Sequence, residues 1–343
     1  MEIKPEIITM LNMMPQPAFL VQDGVIRHTN AAAGIYLLQE NAPIAPMLSG
    51  CAADYEAFTG DSLYLSLQIG GVRLGASVTK LNGCELFILE QPTEQAQLQA
   101  LSLAAQQLRI SLSTAIAEAE RHFDSASGNR SLQQMLRIIN NMSDAQHFAK
   151  PEYGRMELSE SVSVLSEILE KADTYLSQVN TPLQWQLPSE PIYTMLDRDK
   201  LERALLNLLD NAVKFSDESK PIRVQLKQNG QRLLLSVSAE NPMPECDIFH
   251  RFQRQPLLED PRNGLGLGML LVRSAALAHG GSVLIDRPDA KHSRITLALP
   301  IRIPSETEMR SPALHIDYAG ERDHYLVEFS DILPIDAYRI EKE

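Results

Sequence analysis

Asn207, Asn211 and Lys214 follow one another at intervals of 4 and 3 in the run DKLERALLNLLDNAVKFS, residues 199–216. At about 100° per residue this spacing stacks two carboxamides and an ammonium on one helical stripe. A carboxamide oxygen suits a hard cation such as Mg²⁺, and an ammonium meets a phosphate as a point charge. Leu201, Leu205, Leu208, Ala212 and Phe215, spaced 4, 3, 4 and 3, form the apolar stripe that would seat the helix on a core. About fifty residues on, Gly264, Leu265, Gly266, Leu267 and Gly268 alternate glycine with leucine, a backbone that a ligand can approach closely. A dinucleotide-binding turn would need a strand directly before such glycines. Here LEDPRN (258–263) precedes them, which is loop material.

The elements that must position these groups are legible from periodicity. After a strand over 156–160 and a helix over 162–178, strands over 183–188 and 192–196 lead into the polar-striped helix. IRVQLK (222–227) and RLLLSVS (232–238) alternate apolar and polar around Asn229-Gly230, a hairpin signal. The helix after the glycines ends at Gly280-Gly281, and strands over 283–286 and 294–300 follow. The expectation is a two-layer α/β sandwich.

Upstream, AFLV (18–21) and VIRH (25–28) flank Asp23-Gly24, and NAAAGIYLL (30–38) reads as helical. Three further strands, 62–70, 72–79 and 84–90, complete this part. Between 97 and 150 two apolar seams predict two helices. Leu98, Leu101, Ala105, Leu108, Leu112, Ala115 and Ala119 form the first; DSASGNR (124–130) breaks it; Leu132, Met135, Ile139 and Met142 form the second. Two short helices cannot bury both seams alone, so a second copy is expected to complete a four-helix bundle. At the far end ALHIDYAG and DHYLVEFS read as a β-hairpin that would extend a sheet edge.

The chain has 343 residues, enough for two or three domains, and a formal net charge of −13, which speaks against nucleic acid or an anionic membrane surface as partner. Cys51, Cys84 and Cys246 lack metal-ligand spacing and suit a reduced compartment. No apolar run approaches ~18 residues and the first residues lack a basic-then-apolar leader, so a cytoplasmic protein without a membrane span is expected.

The 199–216 run resembles the N-box of sensor histidine kinases, and GLGLGMLLVRSAALAHGG (264–281) resembles their second glycine box. The resemblance implies an ATP-binding fold shared with gyrase, Hsp90 and MutL. It assigns Mg²⁺ to Asn211, a phosphate to Lys214, and the lid over the triphosphate to Gly264, Gly266 and Gly268 with Leu265 and Leu267 between them. Asn207 stands where the hydrolase branch carries a catalytic Glu, which favours the kinase branch; Phe215 closes the box. Residues 1–93 resemble a PAS-type sensor domain, 97–150 the dimerisation hairpin, and 155–300 the ATP-binding domain, with 301–343 beyond the family's usual end. The fold expected is therefore α+β and multidomain, with a homodimer formed through the helical hairpin.

Two departures bear on activity. The phosphoacceptor motif His-Glu-Leu-Arg-Thr-Pro-Leu is matched by Gln106-Gln107-Leu108-Arg109-Ile110-Ser111-Leu112. A carboxamide nitrogen has its lone pair delocalised and accepts no phosphoryl group, and Gln107 cannot serve as a base. No catalytic residue is therefore expected at Gln106 or Gln107. The first glycine box, Asp-x-Gly-x-Gly, is matched by Ala239 to Met243 without Asp or glycine; Asn241 would supply a substitute acceptor for adenine if the strand ended later. The expected protein is a degenerate kinase that binds Mg²⁺ and ATP weakly and works with an intact histidine kinase or a response regulator. The alternatives are an active kinase with another acceptor and a non-enzymatic interaction protein with a vestigial site.

Overall fold

The computed structural model describes residues 3–48, 50–81, 83–90, 108, 112, 126–144, 155–216, 220–240, 268–289, 291–303 and 323–339. Among them, an N-terminal unit begins with helix α1 (Pro5–Met13) and strands β1 (Ala18–Gln22) and β2 (Val25–Thr29). Asp23 and Gly24, both at positive φ, make the turn between these strands. The NAAAGIYLL stretch forms only a short 3₁₀ turn over Ala31–Tyr36, capped by the Asn30 side chain. Helix α2 (Ala52–Glu56) precedes β3 (Ser62–Ile69), β4 (Val72–Leu81) and β5 (Cys84–Leu89).

After helix α3 (Ala126–Asp144) come β6 (Glu157–Glu160), α4 (Ser161–Leu176), β7 (Leu183–Gln186), β8 (Tyr193–Leu196) and α5 (Arg198–Phe215). Then follow β9 (Ile222–Asn229), β10 (Arg232–Glu240), α6 (Gly268–Ala278), β11 (Ser282–Asp286) and β12 (His292–Pro300). The inward residues of β9 and β10 are Ile222, Val224 and Leu226, and Leu233, Leu235, Val237 and Ala239, all buried. They meet Leu201, Leu205, Leu208 and Ala212 of α5 and Leu165, Ile168, Leu169 and Ala172 of α4 in one core. The α5 stripe thus does what its period dictates: it seats the helix on the sheet and leaves the polar stripe beside the core.

The two units share a single ten-stranded sheet, in the order β2-β1-β5-β4-β3-β11-β12-β10-β9-β7. The junction is the antiparallel pair β3–β11, with Val283 opposite Tyr64, Leu284 opposite Leu63 and Ile285 opposite Ser62. Polar contacts brace it: Asp54 accepts from Ser282 Oγ at 2.7 Å and pairs with Arg232 at 3.0 Å, and Asp61 pairs with Arg287 at 2.8 Å. Strands β6 and β8 form a separate two-stranded ladder.

Three expectations are corrected. DHYLVEFS is not a strand: His324–Glu328 is helix α7, capped by Asp323, whose side chain accepts from Tyr325 N at 2.9 Å. Tyr325, Phe329 and Leu333, spaced by four, bury one face in the main core instead of extending a sheet edge. The break placed over 124–130 does not extend past residue 125, since α3 begins at Ala126 and runs through Gly128; residues 124 and 125 lie outside the described residues. Its first turn is tied down by Asn129 and Arg130, which donate to the carbonyls of Tyr338 and Ser330 at 3.2 and 3.0 Å. Finally, the buried seam of α3 uses Leu136 in place of Met135, which is 46% exposed, and packs Leu136 and Ile139 on Leu112 and Val327. The rest of the first predicted helix, apart from Leu108 and Leu112, lies outside the described residues, as do Gln106 and Gln107.

Candidate functional site

The N-terminus of α5 is fixed by Asp197. Its side chain accepts from Lys200 N at 3.0 Å and from Arg155 N at 2.9 Å, and its own N–H donates to His279 Nε2 at 3.0 Å. That bond makes Nε2 an acceptor, so Nδ1 carries the proton and donates to the Ala275 carbonyl at 2.6 Å. Burial, chiefly, pulls the imidazole below its ordinary pKa, with the Lys200 and Arg302 charges acting the same way; the Ala275 bond and Asp197 oppose them. The unfolded chain therefore binds a proton that the native one refuses. Stability should be full above ~6.5 and fall as pH drops through it. Melting temperature is expected to be lower at about pH 5.5 than at about pH 7.5, and His279→Gln should shrink the difference; equal slopes in both proteins would rule this out.

Along α5 the stripe Arg203, Asn207, Asn211, Lys214 lies as the spacing dictates. Asn207 is buried, and its Nδ2 donates to the Arg203 carbonyl at 2.9 Å and to Glu328 Oε2 at 3.4 Å. Gly268, the last glycine of the second motif and the start of α6, backs directly onto the two amides. A Cβ there would lie 3.0 Å from Asn207 Oδ1 and 3.6 Å from Asn211 Nδ2. The two sequence motifs thus meet at this point, where a side chain larger than hydrogen would press on the Asn207 amide.

Lys214 is almost wholly covered, its Nζ 2.8 Å from Asp210 Oδ2 and 2.6 Å from Asp331 Oδ2. Buried Arg137 of α3 reaches Asp210 Oδ2 at 2.7 Å, Asp331 Oδ2 at 2.8 Å and Glu328 Oε2 at 3.6 Å. Arg203 Nε lies 3.4 Å from Glu328 Oε1, and its Nη2 donates to Asn141 Oδ1 at 3.2 Å. Burial pulls the Arg137 pKa down, but the Asp210 and Glu328 charges, the bond to Asp210 and the Asp331 charge outweigh it and hold the guanidinium ionised. Burial pushes the Asp331 carboxyl up, and the Lys214 bond with the Lys214 and Arg137 charges more than reverses that, leaving it below its usual range.

Of the residues singled out in the sequence, Asn207, Asn211, Lys214 and Gly268 come together; Phe215 is half-buried at the end of α5. Gly264, Leu265, Gly266, Leu267 and Asn241 lie outside the described residues. Ala239 faces the core in register with Ser293. Arg137, Asp210, Glu328 and Asp331 were not anticipated. Arg203 was within reach of the spacing, four residues before Asn207 on the same stripe.

A family model described as histidine kinase-, DNA gyrase B- and HSP90-like ATPase matches residues 196–303. Sensor histidine kinase WalK of Bacillus subtilis (strain 168) is 26% identical over 184 residues, 51% of this chain and 30% of the relative. Sensor protein KdpD of Escherichia coli (strain K12) is 29% identical over 188 residues, 53% of this chain and 20% of the relative. The chain thus spans less than a third of these relatives' lengths. A solved structure, the mycobacterial sensor histidine kinase MprB, is 27% identical with a TM-score of 0.37, over 43% of this chain and 98% of that one. Among the described residues no helix is long and apolar enough to cross a membrane.

Proposed function

We propose that this chain, whose residues 196–303 form a histidine kinase-, DNA gyrase B- and HSP90-like ATPase domain, is a sensor-kinase-like signalling protein that binds Mg²⁺-ATP weakly and does not phosphorylate itself. The observation that carries the reading is the close approach of the Gly268 backbone to Asn207 and Asn211, one turn from the Lys214 ammonium. These residues fit a metal-bound triphosphate: an amide oxygen for the cation, a cation for the phosphate oxygens and a bare backbone between. Asn211 would hold the Mg²⁺, Lys214 a phosphate, and the 264–268 glycines the lid. Bound there, Mg²⁺ would neutralise charge on the phosphates.

Two features lower the expected activity. The Ala239 methyl accepts no hydrogen bond from adenine, and one such bond is worth about 1–3 kcal/mol, or about ten- to a hundredfold in affinity. Gln106 and Gln107 stand where the nucleophile and base belong. The chain then acts through association: as a homodimer through residues 97–150, with an intact histidine kinase or a response regulator as partner, in the cytoplasm, and with residues 1–93 as a PAS-like input.

Calorimetric titration with Mg²⁺-ATP tests the reading. The full chain should release heat of binding, and Asn211→Ala should weaken it by about tenfold or more. Absence of binding, or indifference to Asn211→Ala, would refute the site. Labelled ATP should leave no acid-labile phosphate on the purified chain; label appearing there would refute the inactive assignment and favour another acceptor.

A further inference from the structure

The phosphate-binding stripe is already engaged by the chain itself. Among the described residues, three cations (Arg137, Arg203 and Lys214) face three carboxylates (Asp210, Glu328 and Asp331) in one connected, largely buried network. Asp210 belongs to α5, but Glu328 and Asp331 both come from the C-terminal segment. Without those two, the same pocket holds three cations against one carboxylate, which is an anion-binding site. Asp331 touches Lys214, which the nucleotide reading assigns to phosphate, and Glu328 touches Asn207, one turn before the metal-assigned Asn211.

We propose that residues 323–339 are a built-in plug of the nucleotide site, in which the Glu328 and Asp331 carboxylates take the places of phosphate oxygens. The proposal rests on the nucleotide reading above and extends it to regulation. The segment has two sides. Tyr325, Phe329 and Leu333 bury its apolar side in the main core, and the Tyr325 ring stacks on Tyr175 with centroids 5.7 Å apart. Its acidic side covers the cations, and Arg130 ties the turn between by donating to the Ser330 and Asp331 carbonyls at 3.0 and 2.9 Å. Nucleotide phosphates and the plug carboxylates compete for the same Lys214, Arg137 and Arg203, so nucleotide binds only in the fraction of molecules whose acidic turn has swung off. Arg137 sits on α3, and displacing that helix weakens the plug from the other side. With the turn displaced, Arg137 and Arg203 become additional phosphate partners beyond Lys214.

The test is titration of Mg²⁺-ATP into the full chain and into Glu328→Gln/Asp331→Asn, which keeps side-chain shape and removes the charge. If the plug is seated in nine-tenths or more of molecules, the double variant binds roughly tenfold or more tightly, and adding Asn211→Ala removes the gain. Equal affinities, with Asn211→Ala still weakening both, overturn the plug and leave the nucleotide reading standing. No binding by either chain overturns both. A gain that survives Asn211→Ala overturns the plug, because the nucleotide would then sit elsewhere. Hydrogen exchange on the unaltered chain provides a readout free of substitutions. Saturating Mg²⁺-ATP should speed exchange of the Phe329 and Leu333 amides, which now donate to the carbonyls of Tyr325 and Phe329 at 2.9 Å each. Unchanged or slower exchange there overturns the proposal.

Discussion

Replacing Arg137 with alanine should lower unfolding free energy by about 3–5 kcal/mol, the cost of removing one partner from a buried ion network. The residue is 6% exposed and serves Asp210, Asp331 and Glu328 together. Its loss strands the Asp210 and Glu328 carboxylates, which are shielded from water. Asp210 keeps Lys214 at 2.8 Å and Glu328 keeps Arg203 at 3.4 Å, which places the expected cost at the lower end, about 3 kcal/mol. Urea unfolding of the full chain measures it. The pair Arg137→Met with Asp210→Leu separates charge from packing. A matched apolar replacement of a buried pair is near neutral, so the double variant should recover much of the loss, with a coupling of about 0.5–3 kcal/mol. Strict additivity, or a single-variant loss below about 1 kcal/mol, would mean that the network is solvated and worth no more than a surface pair.

How far this site was legible depended on whether a residue's role is written in local spacing. The α5 helix was, because its apolar and polar stripes follow one period, and so was the β9–β10 hairpin, where strict alternation meets Gly230 at φ +56°. The conjunction of Gly268 with Asn207 and Asn211 followed from two motifs taken together. Arg137 was invisible, because nothing on α3 signals that it will face Asp210, a residue 73 positions away. DHYLVEFS misled for a physical reason. Tyr, Val and Phe favour strands where packing permits, and their alternation suggested one. The deciding signals were the Asp323 cap and the spacing by four of Tyr325, Phe329 and Leu333, which suit a helical turn on a core already present. The exposure of Met135 in favour of Leu136 has the same origin. The α3 seam faces Leu112 on one side and Val327 of the C-terminal segment on the other, so its phase is set by a partner far away in sequence that a heptad count does not see. The ten-stranded sheet was also unreadable, since an edge pairing between two units leaves no periodic trace in either.

That junction carries the last prediction, Arg273→Ala, with an expected loss of about 3 kcal/mol. Arg273 lies on α6 and is 6% exposed, with its guanidinium 3.8 Å from the centroid of the Tyr64 ring of β3 and paired with Glu90 after β5. Burial, the dominant cause, pulls its pKa below the ordinary value, against the attraction of Tyr64. A desolvated cation over an aromatic face contributes about 2 kcal/mol, and alanine would leave both a void and an unpaired Glu90. Arg273→Lys should recover only part, because an ammonium keeps the charge and loses the planar stack. The damage should be directional. The β3–β11 ladder has three residue pairs, so weakening its side-chain brace should let the N-terminal sheet unfold at a lower temperature than the rest. Calorimetry should then resolve two transitions in Arg273→Ala where the unaltered chain shows one. A single transition shifted by less than about 2 °C would mean that the brace adds little beyond the strand pairing itself. The stake exceeds stability, because α6 begins at Gly268 and Arg273 lies about one and a half turns further along. The helix that closes on Asn207 and Asn211 is therefore the one the N-terminal sheet grips, and movement of that sheet has a rigid path of less than two turns to Gly268.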